Sequence, residues 1–145
     1  LSGVENLDYF CKISGLSYST EILKTLLIDC GLDSEAHEKL TFEYSKGMRQ
    51  KVGIAIALAK NSSIYLLDEP ASGLDPLASS ELSKTLKKLA SKGATILMAS
   101  HDIFRVRETC DKIGILKKGK LIKEIDSKDV SSNQLEDIYI KFMND

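Results

Sequence analysis

The sequence predicts an α/β protein: a helical segment, then a parallel-sheet core, a small C-terminal antiparallel hairpin and a final helix. Three observations lead to this. Two short apolar runs, IYLL at 64–67 and TILMAS at 95–100, are separated by an amphipathic helical pattern, the order of a crossover between parallel strands. Residues before Ser45 show only helical periodicity. KIGILKKGKLIKEI, at 112–125, reads as two strands around a lysine–glycine turn.

Residues 5–14 place Leu7, Phe10 and Cys11 on one helical face. Ser19 or Thr20 caps the next helix, whose stripe is Ile22, Leu23, Leu26, Leu27 and Cys30 before Gly31 stops it. The polar stretch DSEAHEKLTFEY follows, with His37 expected in solvent. Ser45 opens a helix to about Lys60, apolar nearly all round with small residues between, so a buried helix is expected. IYLL reads as a strand buried on both faces. Asp75 and Pro76 form an N-cap and first-turn pair. Their helix carries Leu82, Leu86 and Leu89 and ends at Gly93. TILMAS is the second buried strand, and Ile103, Val106 and Cys110 share one face of the helix after it. A last helix, about 133–143, shows Leu135, Ile138 and Phe142.

The chain has 145 residues, 43% of them hydrophobic, which suits one domain with a core of its own. Twenty basic against 21 acidic residues leave a net charge of -1, so nothing draws it generally to nucleic acid or anionic lipid. The three cysteines, Cys11, Cys30 and Cys110, are too far apart in sequence for a metal pair and fall on apolar faces, as in a reduced intracellular protein. No apolar run approaches the ~18 residues of a membrane span. No initiator methionine opens the chain, so it is expected to start inside something larger.

The chemistry sits where the strands end. Asp68 and Glu69 come as the first strand leaves the sheet, so their side chains diverge around one site. Ligands of open α/β sheets bind outside the carboxyl ends of the strands. An aspartate ending an apolar strand suits Mg²⁺ held through water, and a second acid can orient or deprotonate an attacking water. His101 ends the neighbouring strand and is expected at the same edge, where an imidazole can donate to a phosphate oxygen. Ser45 and Gly47 begin a helix, whose N-terminus is an anion site.

Together, FEYSKGMRQKVGIAIALA, IYLLDEP, SGLD and the Ser100–His101 pair resemble the ATP-binding-cassette (ABC) transporter ATPases. Order and spacing match over 44–101, and a looser likeness covers nearly the whole chain. The resemblance implies the C-terminal part of a P-loop nucleotide-binding cassette: residues 1–43 as part of a helical subdomain, and 44–145 as the second half of the ATPase core. It implies Asp68 as the Walker B aspartate near Mg²⁺, Glu69 as catalytic base and His101 as the switch histidine at the γ-phosphate of ATP. Tyr44 to Met48 would be the signature segment, with Ser45, Lys46 and Gly47 beside ATP held by a second cassette. Asp75 would communicate across that dimer, homomeric or heteromeric. Membrane-spanning permease subunits would be the other partners, with no nucleic acid, on the cytoplasmic face of the membrane. YSKGM departs from the common LSGGQ form and looks like that of export cassettes. If the backbone at 46 needs positive φ, Lys46 is expected to be strained.

The phosphate cradle of that family, GxxxxGK[ST], is missing. Its one partial match, GILKKGK at 114–120, is followed by Leu121 and lies in a strand pattern, so a hairpin is the reading. The adenine-stacking aromatic and the Q-loop glutamine are missing too. The chain by itself is therefore expected neither to bind ATP tightly nor to hydrolyse it, and its sheet to present an unpaired apolar edge. A chromosome-organising, DNA-repair or ribosome-acting cassette ATPase carries a similar signature. The short, capped helices of 5–43 lack the sustained heptads of the coiled coils that divide the chromosome-organising and DNA-repair type.

Overall fold

The structure, a computed structural model, describes residues 1–144 as two compact units, one from Leu1 to Ala99 and one from Ser100 onward. The first opens with α1 (Gly3–Ile13) and α2 (Thr20–Asp29). Ser2 Oγ accepts the Glu5 N–H at 3.2 Å while Glu5 Oε2 accepts the Ser2 N–H at 2.7 Å, a reciprocal cap that fixes where α1 starts. Ser19 caps α2 through the Ile22 N–H. Two 3₁₀ turns, Ser34–Ala36 and Thr41–Glu43, lead to α3 (Lys46–Ala59).

These helices share one core of Val4, Leu7, Cys11, Leu23, Leu27, Val52, Ala55 and Ala59. Phe10 and Ile22, expected in that core, are exposed; Val4, one turn before Leu7, takes the inward place on α1. His37, expected in solvent, is 2% exposed. Its Nε2 lies 3.0 Å from the Leu32 carbonyl oxygen, and its own carbonyl accepts the Val4 N–H at 3.1 Å. The polar stretch thus folds back onto α1, which its composition does not reveal.

Tyr44, where LSGGQ has leucine, is a core residue. Its hydroxyl donates to the Ala36 carbonyl, and a Cβ built on Gly3 would clash with the Tyr44 hydroxyl oxygen, so the ring needs the glycine beneath it. Burial pushes the phenol up from its ordinary value.

Next come β1 (Ile64–Asp68), α4 (Pro76–Ser91) and β2 (Thr95–Ala99). The strands pair in parallel, from Ile64 with Thr95 to Asp68 with Ala99. Leu67, Ile96 and Met98 pack with Ile54 of α3 and with Leu82 and Leu86 of α4. The expectation of strands buried on both faces fails: Ile64, Leu66 and Leu97 are 63%, 74% and 68% exposed. The described helices of this unit cover one face of the pair, so burial alternates along both strands. α3 is likewise not buried all round, since Gly53 is exposed with nothing within 4 Å of a Cβ there.

The second unit holds α5 (Ile103–Thr109), the hairpin β3 (Lys112–Lys117) and β4 (Lys120–Asp126), and α6 (Ser132–Asn144). Lys118 and Gly119 turn the hairpin at φ +49° and +75°, the left-handed pair that matches strand twist. Gly114 pairs with Glu124 inside this ladder, so GILKKGK is a hairpin and no phosphate loop. Ile113, Ile115, Ile125 and Leu135 form its core, and Lys117 Nζ donates to the Phe142 carbonyl at the end of α6 at 2.9 Å. Among the described residues no helix is long and apolar enough to cross a membrane.

The bare strand face and two unpaired strand edges invite association. Sedimentation of the 145-residue chain should show association that rises with concentration and that Leu66→Lys with Leu97→Lys suppresses. A monomer at every concentration contradicts this.

Candidate active site

Pairing of β1 with β2 sets the site's geometry. Asp68 stands opposite Ala99, and the next amide, Glu69 N–H, still donates to the Ala99 carbonyl at 2.9 Å. The ladder therefore runs one bond past the strand, and there the chain breaks away: Glu69 has φ +45°, a left-handed conformation uncommon for a non-glycine residue. Such conformations concentrate at functional sites because the surrounding structure must hold them. Asp68 is exposed on the same face as Ile64 and Leu66, and Glu69 is half-buried.

After Glu69 the chain makes a tight loop. Ser72 N–H donates to the Glu69 carbonyl at 3.0 Å and Leu74 N–H to that of Ala71 at 3.1 Å. Asp75 closes the loop as the N-cap of α4, its Oδ1 accepting the Ala78 N–H at 2.9 Å. That N–H is the main reason its carboxyl titrates below the ordinary carboxylate value. The cap is therefore present above the ordinary carboxylate range and lost as pH falls through the lowered folded value.

The first turn of α3 lies against this loop. Ser45 Oγ accepts the Met48 N–H at 3.2 Å. A helix start carries further unpaired N–H donors, the chemistry an anion needs. Lys46 occupies the first helical position, and the only positive-φ residues besides glycine among those described are Asn61, Glu69 and Lys118, so the expected strain at 46 does not occur. Gly47 meets the loop backbone: a Cβ there would sit 2.6 Å from the Gly73 carbonyl oxygen. Gln50 Nε2 donates to the Pro70 carbonyl at 3.0 Å. Neither the Gly47–Gly73 approach nor the role of Gln50 was legible beforehand; the adjacent glycine-bearing segments YSKGM and ASGLD were the only hint.

His101 follows Ala99 by two residues, is exposed, and belongs to the second unit. Burial raises all three thiols above their ordinary value, that of Cys30 to about 12, which disfavours the thiolate at neutral pH. The described residues contain no cluster of three or more metal-ligating side chains.

A parallel strand pair ending in two carboxylates, beside a helix start, places these groups where open α/β sheets bind ligands. Comparison with known proteins agrees. The chain is 36% identical over 126 residues to a bacitracin transport ATP-binding protein of Enterococcus faecalis, covering 86% of this chain and 40% of that one. It is 35% identical over 141 residues to a lantibiotic transport ATP-binding protein of Streptococcus pyogenes, covering 96% and 58%. A solved ATP-binding subunit of an ABC transporter superposes with a TM-score of 0.83 at 28% identity, over 99% of this chain and 62% of that one. A dimeric ATP-binding cassette in a post-hydrolysis state, bound to ADP and Pi, gives 0.78 at 26% identity, over 88% and 57%. The family described as "AAA domain, putative AbiEii toxin, Type IV TA system" matches residues 37–106, a span that contains Ser45 to Gly47, Asp68, Glu69, Asp75 and His101. Over most of its length the chain is similar to ATP-binding proteins of ABC transporters, and it spans 40% to 58% of the length of these curated relatives.

Two predictions follow from the packing. Gly47→Ala should destabilise the protein by roughly 1–3 kcal/mol, because backbone must yield. Gly53→Ala, on the open face of the same helix, should stabilise it by roughly 0.5–1 kcal/mol. Urea denaturation of both variants checks the opposite signs. For the cap, Asp75→Asn should keep the melting temperature near that of the parent and Asp75→Ala should lower it.

Proposed function

We propose that this chain supplies the signature, Walker B and switch-histidine part of a cassette that hydrolyses ATP to drive transport, in the export direction, across a membrane. The observation that carries the proposal is the Asp68–Ala99 register, extended by the Glu69 N–H bond to Ala99, which sets two carboxylates at the carboxyl end of a parallel strand pair.

The residues fit Mg²⁺ and ATP. Asp68 offers one hard, exposed carboxylate, and with no multi-ligand cluster among the described residues the ion would keep water and phosphate oxygens as its other ligands, which Mg²⁺ prefers. Bound Mg²⁺ would neutralise charge on the phosphates. Glu69, held by its amide to Ala99, accepts a proton from the attacking water. His101 donates a hydrogen bond to the terminal phosphate. Ser45 and Gly47, at the start of α3, face the γ-phosphate of a nucleotide held by a second cassette, and Lys46 lies beside them with its ammonium on Ser72. Asp75 links the two cassettes. The partners are that second cassette and permease subunits, with residues 1–43 forming part of the permease contact and residues 44–145 the catalytic half. The protein works at the cytoplasmic face of the membrane, where the nucleotide is.

The export direction rests on YSKGM, and relatives named for bacitracin and lantibiotic transport support the transport role. In the complete protein carrying this chain, Glu69→Gln should lower ATP turnover by about 10²–10⁴-fold and leave binding of a fluorescent ATP analogue intact. Unchanged turnover overturns the role of Glu69. The 145-residue chain alone should show no turnover, and activity there that Glu69→Gln abolishes would contradict the need for an external phosphate cradle.

A further inference from the structure

The loop that leaves Glu69 is held from outside by one helix face. Lys46, Gly47 and Gln50 are spaced i, i+1, i+4 along α3, so they share a side. All three meet the loop. Gln50 Nε2 donates to the Pro70 carbonyl at 3.0 Å, one residue past Glu69. Lys46 Nζ donates to Ser72 Oγ at 2.8 Å. Gly73, at φ +80°, lies under the aliphatic part of Lys46: a Cβ on Gly73 would come within 3.0 Å of Lys46 Cδ and 3.1 Å of Cγ. Gly47 closes the contact against the Gly73 carbonyl.

We propose that Lys46 is a positioning residue: by tying the first turn of α3 to Ser72, it holds the loop and through it the placement of Glu69. This rests on the reading of Glu69 as catalytic base. The physical reason is the strained start of the loop. Glu69 at φ +45° keeps its conformation only if its flanks are fixed. One flank is the ladder bond to Ala99. The other is the loop, whose own bonds, Ser72 to Glu69 and Leu74 to Ala71, are backbone turns near the surface. The α3 contacts supply the outside hold. A glycine at 46, as in LSGGQ, has neither the stem that covers Gly73 nor the ammonium that reaches Ser72. Displacement of a catalytic group by about 1 Å can cost roughly a hundredfold in rate, so a small movement suffices.

The test uses the full-length protein that carries this chain, in Lys46→Met, Lys46→Arg, Ser72→Ala and the Lys46→Met/Ser72→Ala double variant. Two quantities are read: steady-state ATP hydrolysis, and hydrogen exchange of a peptide spanning 69–75. Lys46→Met should lower kcat about tenfold with KM for ATP little changed, and should speed exchange of the Ser72 and Leu74 amides about three- to tenfold. Ser72→Ala should do the same, the double variant should be no worse than either single one, and Lys46→Arg should restore both readouts. A rise in KM with kcat and loop exchange unchanged would make Lys46 a direct phosphate ligand and overturn the proposal, as would additive effects of the two substitutions. Should the parent protein hydrolyse no ATP, the functional reading fails separately, and exchange alone decides the joint: faster exchange in Lys46→Met with rescue by Lys46→Arg supports it, and unchanged exchange refutes it.

Discussion

The structure of the candidate site depends on one hydrogen bond beyond the end of a strand pair, from the Glu69 amide to the Ala99 carbonyl. Because β1 and β2 run parallel and in register to their last residues, the ladder delivers Asp68 to the edge and holds the next residue just outside it. That bond makes the left-handed turn at Glu69 tolerable. Without the register, Asp68 and Glu69 would be consecutive acids on a flexible loop, with no reason to serve a common ligand.

Around this bond the protein builds two supports of different kinds. Behind the strands, Leu67, Ile96 and Met98 pack on Ile54, Leu82 and Leu86, fixing the sheet to α3 and α4 by apolar burial. In front, the loop from Pro70 to Asp75 is pinned at three points by α3 and at its end by the Asp75 cap. α3 therefore serves both supports: Ile54 faces the sheet core, Val52, Ala55 and Ala59 the helical core, and its first turn the loop after Glu69. Within YSKGM, Tyr44 is anchored in the helical core and Lys46 on the loop.

Much of this was legible in the sequence because it is written in local rules. Helix starts at Ser19, Ser45 and Asp75 are announced by capping residues, and the hairpin by Lys118-Gly119. The parallel order of IYLL and TILMAS follows from the helix between them. What escaped was tertiary. His37 sits in a run of polar residues, and only the path of the chain back to Val4 buries it. Ile64, Leu66 and Leu97 have the composition of a strand covered twice, yet they are bare, because periodicity reports what a strand can bury and not which polypeptide covers it. The contacts of Gly47 and Gln50 with the loop join segments 20 or more residues apart and leave no periodic trace.

The central claim is the register at the strand ends, and the most direct measurement of it is the through-hydrogen-bond scalar coupling between the Glu69 amide nitrogen and the Ala99 carbonyl carbon in the isotopically labelled protein. The account predicts a resolved coupling between those two nuclei. A coupling from Glu69 to Met98 or Ser100 instead, or a Glu69 amide that exchanges as fast as an unprotected loop residue, would contradict it and leave the two carboxylates without a fixed place at the sheet edge.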